Sequence, residues 1–152
     1  MEIIIKNSHL LAELYCLLKV LFALIAGGVI GLERVSAGKE AGIRTFGFIC
    51  AGACSYTALA TLVFPDSSAR VVANVVVGIG FIAGGVIYRS DADKPSHGLT
   101  TASSLWVTAT IGVIIGFELY ILALGVILLT LLTLHLPSSR IWLYLSKKHS
   151  DT

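Results

Sequence analysis

The few charged and amide side chains of this chain fall in an ordered pattern. Asp66, Arg70 and Asn74 recur every four residues, a step that drifts only ~40° around a helix. That spacing lets Asp66 pair with Arg70 and sets the Asn74 amide just below. Further along come the hydroxyls Thr100, Thr101, Ser103, Ser104, Thr108 and Thr110. An amide facing a row of hydroxyls can relay a proton or a cation, or can simply bond two helices together. Glu33, Arg34, Lys39, Glu40, Arg44 and Thr45 crowd a third short stretch, fit for interfacial anchoring or for docking a partner. Mg2+ keeps most of its water and takes one or two carboxylates, so Glu33, Asp66, or Asp91 with Asp93, can hold it loosely. The histidines are scattered, and no Ser/His/Asp, Cys/His or paired-carboxylate arrangement occurs. No catalytic residue, enzymatic activity or resident cofactor is therefore expected, with Mg2+ the one ion to consider. Cys50 and Cys54, one turn apart, read as small apolar core residues rather than a metal or redox pair.

The elements that position these groups follow from composition. The 152 residues are 56% hydrophobic and 13% charged, about half the usual ~25% of charged residues, and mean hydropathy is +0.89. A soluble domain of this size has too much surface to cover with so few charges. Disorder and coiled coil need the opposite composition, and a net charge of +2 is too slight for a nucleic-acid footprint. What remains is an all-α polytopic membrane protein. Crossing a hydrocarbon core ~30 Å thick takes about 20 helical residues, and five segments approach this: 10–32, 46–64, 69–88, 99–116 and 119–136. Pro65-Asp66-Ser67-Ser68 and Lys94-Pro95-Ser96-His97-Gly98 stop one helix and can cap the next. Gly116 and Glu118 alone interrupt the apolar stretch from Leu105 to Leu136, which is too long for one span, so a tight hairpin is expected at Phe117–Glu118. The first span tolerates Glu13 and Lys19 near one end. The N-terminus, carrying Glu2 and Lys6 ahead of a full-length span, does not read as a cleavable signal.

Five spans put Arg34, Lys39, Arg44, Arg89, Lys94, Arg140, Lys147 and Lys148 on one side, against Lys6, Lys19 and Arg70 on the other. The positive-inside rule then places the N-terminus outside and the C-terminus in the cytoplasm. Residues 138–148, with Trp142 and Tyr144 between basic residues, read either as an interfacial helix or as the fifth span continuing past Pro137. With the third and fourth spans antiparallel, Asn74 is level with Thr110–Gly112 and Gly78 with Thr108, so Asn74 is expected to bond across to the hydroxyl row. Gly27 and Gly31, Gly80 and Gly84, and Gly112 and Gly116 are spaced four apart. Together with Gly78 and Gly85 they are expected to let helix backbones approach closely. Gly78-Ile79-Gly80-Phe81-Ile82-Ala83 superficially resembles a dinucleotide-binding loop, but no strand precedes it and it sits in hydrocarbon.

Four strings occur in order: Gly31-Leu32-Glu33-Arg34, Ala41-Gly42-Ile43-Arg44-Thr45, Gly78 to Ile87, and Gly98 to Ala109. From about Gly27 to Leu136 the sequence resembles the membrane domain of the MgtC/SapB family. Asp66 and Arg70 fit that pattern, and Asn74 stands where a glutamine is common. The resemblance implies a multi-pass protein of the bacterial inner membrane, linked to magnesium limitation, virulence or stress adaptation. It also implies regulation of another membrane protein, since some members restrain the rotary ATP synthase. Better-known members carry a soluble C-terminal domain, and the end at Thr152 suggests a short member. Two functional readings stay open. The first is a non-enzymatic regulator that binds a membrane protein through glycine-rich surfaces, in contact with lipid and assembled as a homo-oligomer, a dimer at simplest. The second is an oligomeric Mg2+, K+ or H+ pathway lined by Asp66, Arg70, Asn74 and the fourth-span hydroxyls. A scaffold whose polar residues serve only assembly is a third.

Overall fold

A backbone in hydrocarbon has no water to bond to, so each span must close its own hydrogen bonds as a helix. The computed structural model describes residues 2–89 and 97–136, and these form five helices. They are α1 (Glu2–Ser36), α2 (Ile43–Val63), α3 (Ser68–Arg89), α4 (His97–Gly116) and α5 (Tyr120–His135), with a 3-10 turn at Pro65–Ser67. Four helices are long and apolar enough to cross a membrane, and α5 is shorter. Its 16 residues reach about 24 Å, about one helical turn short of the ~30 Å hydrocarbon thickness. The all-α polytopic architecture is thus as expected. α1 extends beyond the expected 10–32 at both ends: residues 2–9 contain no Gly or Pro, and at the other end the helix runs on until Gly38. Asp91, Asp93, most of the Lys94–Gly98 turn and the 138–148 tail lie outside the described residues.

α1 ends in a Schellman motif: the Lys39 amide bonds the Arg34 carbonyl at 3.0 Å and the Gly38 amide bonds Val35 at 2.9 Å. Gly38 takes φ +70°, which glycine adopts without steric cost. α4 ends the same way, with Leu119 bonded to Ile114 at 3.1 Å and Glu118 to Ile115 at 2.9 Å. Here Glu118 adopts φ +66°, so the expected corner exists but a carboxylate occupies the position that normally favours glycine.

α4 is the centre of the bundle, packing against all four other helices. Its Leu105, Ile111 and Ile115 are fully buried with Ile30 of α1 and Phe46 of α2. Glycines set the closest approaches. A Cβ on Gly31 would lie 2.6 Å from Ile43 Cα, and one on Gly27 would meet the Phe46 carbonyl and sit 2.7 Å from Cys50 Cβ. On α4, a Cβ on Gly112 would meet the Cys50 carbonyl, and one on Gly116 would lie 2.5 Å from Thr57 Cβ. These contacts run α1 antiparallel to α2, and α2 parallel to α4. The α3 glycines behave differently: Gly78, Gly80, Gly84 and Gly85 have nothing within 4 Å of where a Cβ would stand. Packing by these four within the chain is therefore not what the structure has. α3 rests on α4 and α2 through another face and leaves these glycines open.

Candidate functional site

Polar side chains gather at three places, beginning at the α1–α2 end. Arg34 is 3% exposed and gripped by its neighbour Glu33, with Nη2 donating to Oε1 at 2.7 Å and Nε to Oε2 at 2.5 Å. A two-pronged guanidinium–carboxylate pair of this kind fixes both side chains and occupies both Glu33 oxygens. Arg44 and Thr45, a turn into view across the loop, are exposed.

The second place is α3 with the fourth-span hydroxyls, and here the expected network is rearranged. Arg70 donates to Ser67 Oγ at 3.1 Å, and among the described residues it forms no ion pair with Asp66 or any other acid. Asp66 is held in the 3-10 turn, out of helical register with Arg70. Asn74 does not reach across to α4. Its Nδ2 donates to the Arg70 carbonyl on its own helix at 3.0 Å, and the residue is exposed. The physical reason is twofold. A short amide is well placed to bond the carbonyl one turn back, and α4 turns Ala109, not a hydroxyl, toward this face. Thr101, Ser104 and Thr108 are buried and none of them lines this groove; Ser104 and Thr108 donate at 2.8 Å to the carbonyls of Thr101 and Ser104. Ser103 bonds Leu99 and Thr110 bonds Trp106 in the same way, while Thr100 is exposed. What lies between α2 and α3 is an apolar groove of about 690 Å³, lined by Phe48, Gly52, Tyr56, Asn74, Gly78 and Ile82 among others.

The third place was not singled out from sequence. Lys19 of α1, only 5% exposed, donates to Glu118 Oε1 at 3.1 Å and lies 5.1 Å from the centre of the Tyr15 ring. The Tyr15 and Tyr120 hydroxyls are 3.2 Å apart, and Phe22 meets Tyr120 edge-on with ring centres 6.0 Å apart. A buried cation is thus matched by a carboxylate and an aromatic face. The available signal was the spacing Tyr15, Lys19, Phe22 along one face of α1, opposite a lone acid in a hairpin corner.

Among the described residues, no three His, Cys, Asp or Glu side chains converge as a metal site. The sequence pattern of the MgtC family matches residues 20–139, most of this helical bundle. The chain belongs to the MgtC family. It is 37% identical over 129 residues to protein SrpB of Synechococcus elongatus, covering 76% of this chain and 71% of SrpB. It is 38% identical over 128 residues to the putative magnesium transporter YhiD of Escherichia coli K12, covering 78% and 58% of the two chains. To protein MgtC of Salmonella typhimurium it is 39% identical over 100 residues, covering 66% of this chain and 42% of that one. The match thus spans about half the length of YhiD and MgtC. No solved structure matches. Family membership and the apolar helices together make this a multi-pass membrane protein. Lys19 lies just outside the matched region and Glu118 inside it.

Proposed function

We propose that the chain is a non-enzymatic regulator of the bacterial inner membrane, linked to magnesium homeostasis and stress, that binds another membrane protein through the outer face of α3. The observation carrying this reading is the open glycine face. Gly80 and Gly84 have clear space where a Cβ would stand, beside Phe81 at 87% and Tyr88 at 94% exposure. Helix association in lipid is driven by close packing rather than by hydrophobicity, and such a face lets a partner helix approach to backbone distance. The name of YhiD, a putative magnesium transporter, supports the link to magnesium. The charge asymmetry supports an outside N-terminus and a cytoplasmic α1–α2 loop. The rotary ATP synthase is the partner that the family resemblance favours. Co-reconstitution with that enzyme tests it: ATP-driven proton pumping falls when the chain is added, and Gly84→Leu restores it. Pumping that the wild-type chain leaves unchanged removes the ATP synthase as partner.

The name of YhiD gives the transport reading a specific support. In that reading Asp66, Arg70 and Asn74 border an ion path between protomers of an oligomer. Ion flux through vesicles containing the purified chain separates the two.

A further inference from the structure

We propose that the groove between α2 and α3 is a phospholipid site, taking one acyl chain of an anionic glycerophospholipid whose phosphate is held by Arg70. Its dimensions fit that occupant. Along α3 the groove runs from Val71 past Asn74 and Gly78 to Ile82. Those eleven helical steps span about 17 Å, against about 15 Å for one leaflet's half of the hydrocarbon core. Its volume of about 690 Å³ lies within the ~300–1,000 Å³ range of small-molecule sites.

The chemistry is graded along the same line. The deep end, at Phe48, Gly52 and Ile82, is wholly apolar. One polar level follows at Tyr56 and Asn74, where the Asn74 amide spends one hydrogen on the Arg70 carbonyl. That leaves its second hydrogen to donate to a glycerol ester carbonyl. One turn above stands Arg70, exposed, with one arm on Ser67 Oγ and, among the described residues, no carboxylate partner. A guanidinium near the membrane edge suits a phosphate, which it can grip with two nitrogens. A cation just beyond the lining, one turn above Asn74, then an amide at ester depth and an apolar trough of one leaflet's length follow the order of groups in a phospholipid. This face is distinct from the Phe81–Gly84 face of α3.

The glycines make the proposal testable without breaking the fold. Gly52 and Gly78 both line the groove, and neither has an atom within 4 Å of where a Cβ would stand. Gly52→Leu or Gly78→Leu should therefore fill the trough and leave the bundle intact. The full chain, purified in detergent, is titrated with dioleoylphosphatidylglycerol or dioleoylphosphatidylcholine and read by native mass spectrometry and thermal unfolding. The expected result is a one-to-one phosphatidylglycerol adduct, bound about fivefold more tightly than phosphatidylcholine, the scale of one cation's attraction to an anionic headgroup. Arg70→Gln should erase that preference and Arg70→Lys should keep most of it. Gly78→Leu should lose the adduct while the lipid-free unfolding temperature stays that of the wild type. Inorganic phosphate without an acyl chain should shift nothing. Equal adduct in Gly78→Leu and wild type overturns the site. So does wild-type protein that does not distinguish the two lipids, or a dimer mass appearing in place of the adduct.

Discussion

Lys19 and Glu118, separated by 99 positions in sequence, meet at 3.1 Å and tie the N-terminal helix to the corner between α4 and α5. The carboxylate sits on backbone at φ +66°, a conformation that costs a non-glycine residue roughly 1–2 kcal/mol. Two opposing effects therefore meet in one residue. The backbone would favour glycine, whereas the buried ammonium requires an anion.

Glu118→Gly separates these effects. If the pair dominates, the variant unfolds at lower temperature than wild type despite its relaxed corner. Glu118→Ala, which keeps the strain and strands Lys19, should be worse. Its loss should fall between ~1 kcal/mol for an exposed pair and ~3 kcal/mol for one that leaves a buried charge unpartnered. Lys19→Met combined with Glu118→Gly should recover most of the stability. Thermal unfolding in one detergent ranks all of them. A Glu118→Gly variant more stable than wild type would show that the ion pair is incidental.

The glycines divide into two classes with opposite responses. Gly31→Ala and Gly112→Ala place a methyl against backbone and should destabilise by about 1–3 kcal/mol. Gly80→Ala and Gly84→Ala meet nothing within 4 Å and should be neutral or gain up to ~1 kcal/mol from helix propensity. Unfolding of the four variants side by side is the check. Equal losses at Gly84 and Gly112 would mean that α3 is covered from within the chain.

Among the described residues Asn74 bonds only its own helix, so Asn74→Leu should change unfolding stability by less than about 0.5 kcal/mol, as substitutions away from packed contacts do. A cross-helix bond would instead make that substitution cost about 1–2 kcal/mol. The same unfolding series reads the difference.

Orientation is open to direct labelling. In a background with Cys16, Cys50 and Cys54 replaced by Ala or Ser, a cysteine at Arg44 should react with a membrane-impermeant maleimide only in inverted vesicles. One at Ser67 should react in intact cells. Labelling of both from one side contradicts the topology.

Helices, their order and the tight corner at Glu118 were legible in the sequence because hydrocarbon imposes one backbone solution on any apolar stretch of sufficient length. The family was legible for a different reason: its motifs, from Gly31-Leu32-Glu33-Arg34 to Gly98–Ala109, lie in order along the spans. Side-chain partners were less so. Helical spacing put Asp66 beside Arg70, but the 3-10 turn at Pro65–Ser67 takes Asp66 out of register. Register put Asn74 level with hydroxyls, but level is not facing: Ala109 is what α4 presents there, while Ser104 and Thr108 bond carbonyls of α4 itself. Spacing alone also could not tell Gly27 and Gly112, pressed against a neighbour, from Gly80 and Gly84, which are open. The Lys19–Glu118 contact joins the first span to the corner between the last two, and no local pattern encodes a pairing at that separation.

The most direct test of a regulator rather than a conduit is ion flux in proteoliposomes loaded with a Mg2+-sensitive dye, repeated with K+ and proton reporters. The purified chain should give no flux above protein-free vesicles, and Asn74→Ala and Arg70→Ala should match it. Flux of any of the three ions through the wild type, lost in those two variants, would contradict the regulator and establish a pathway along α3.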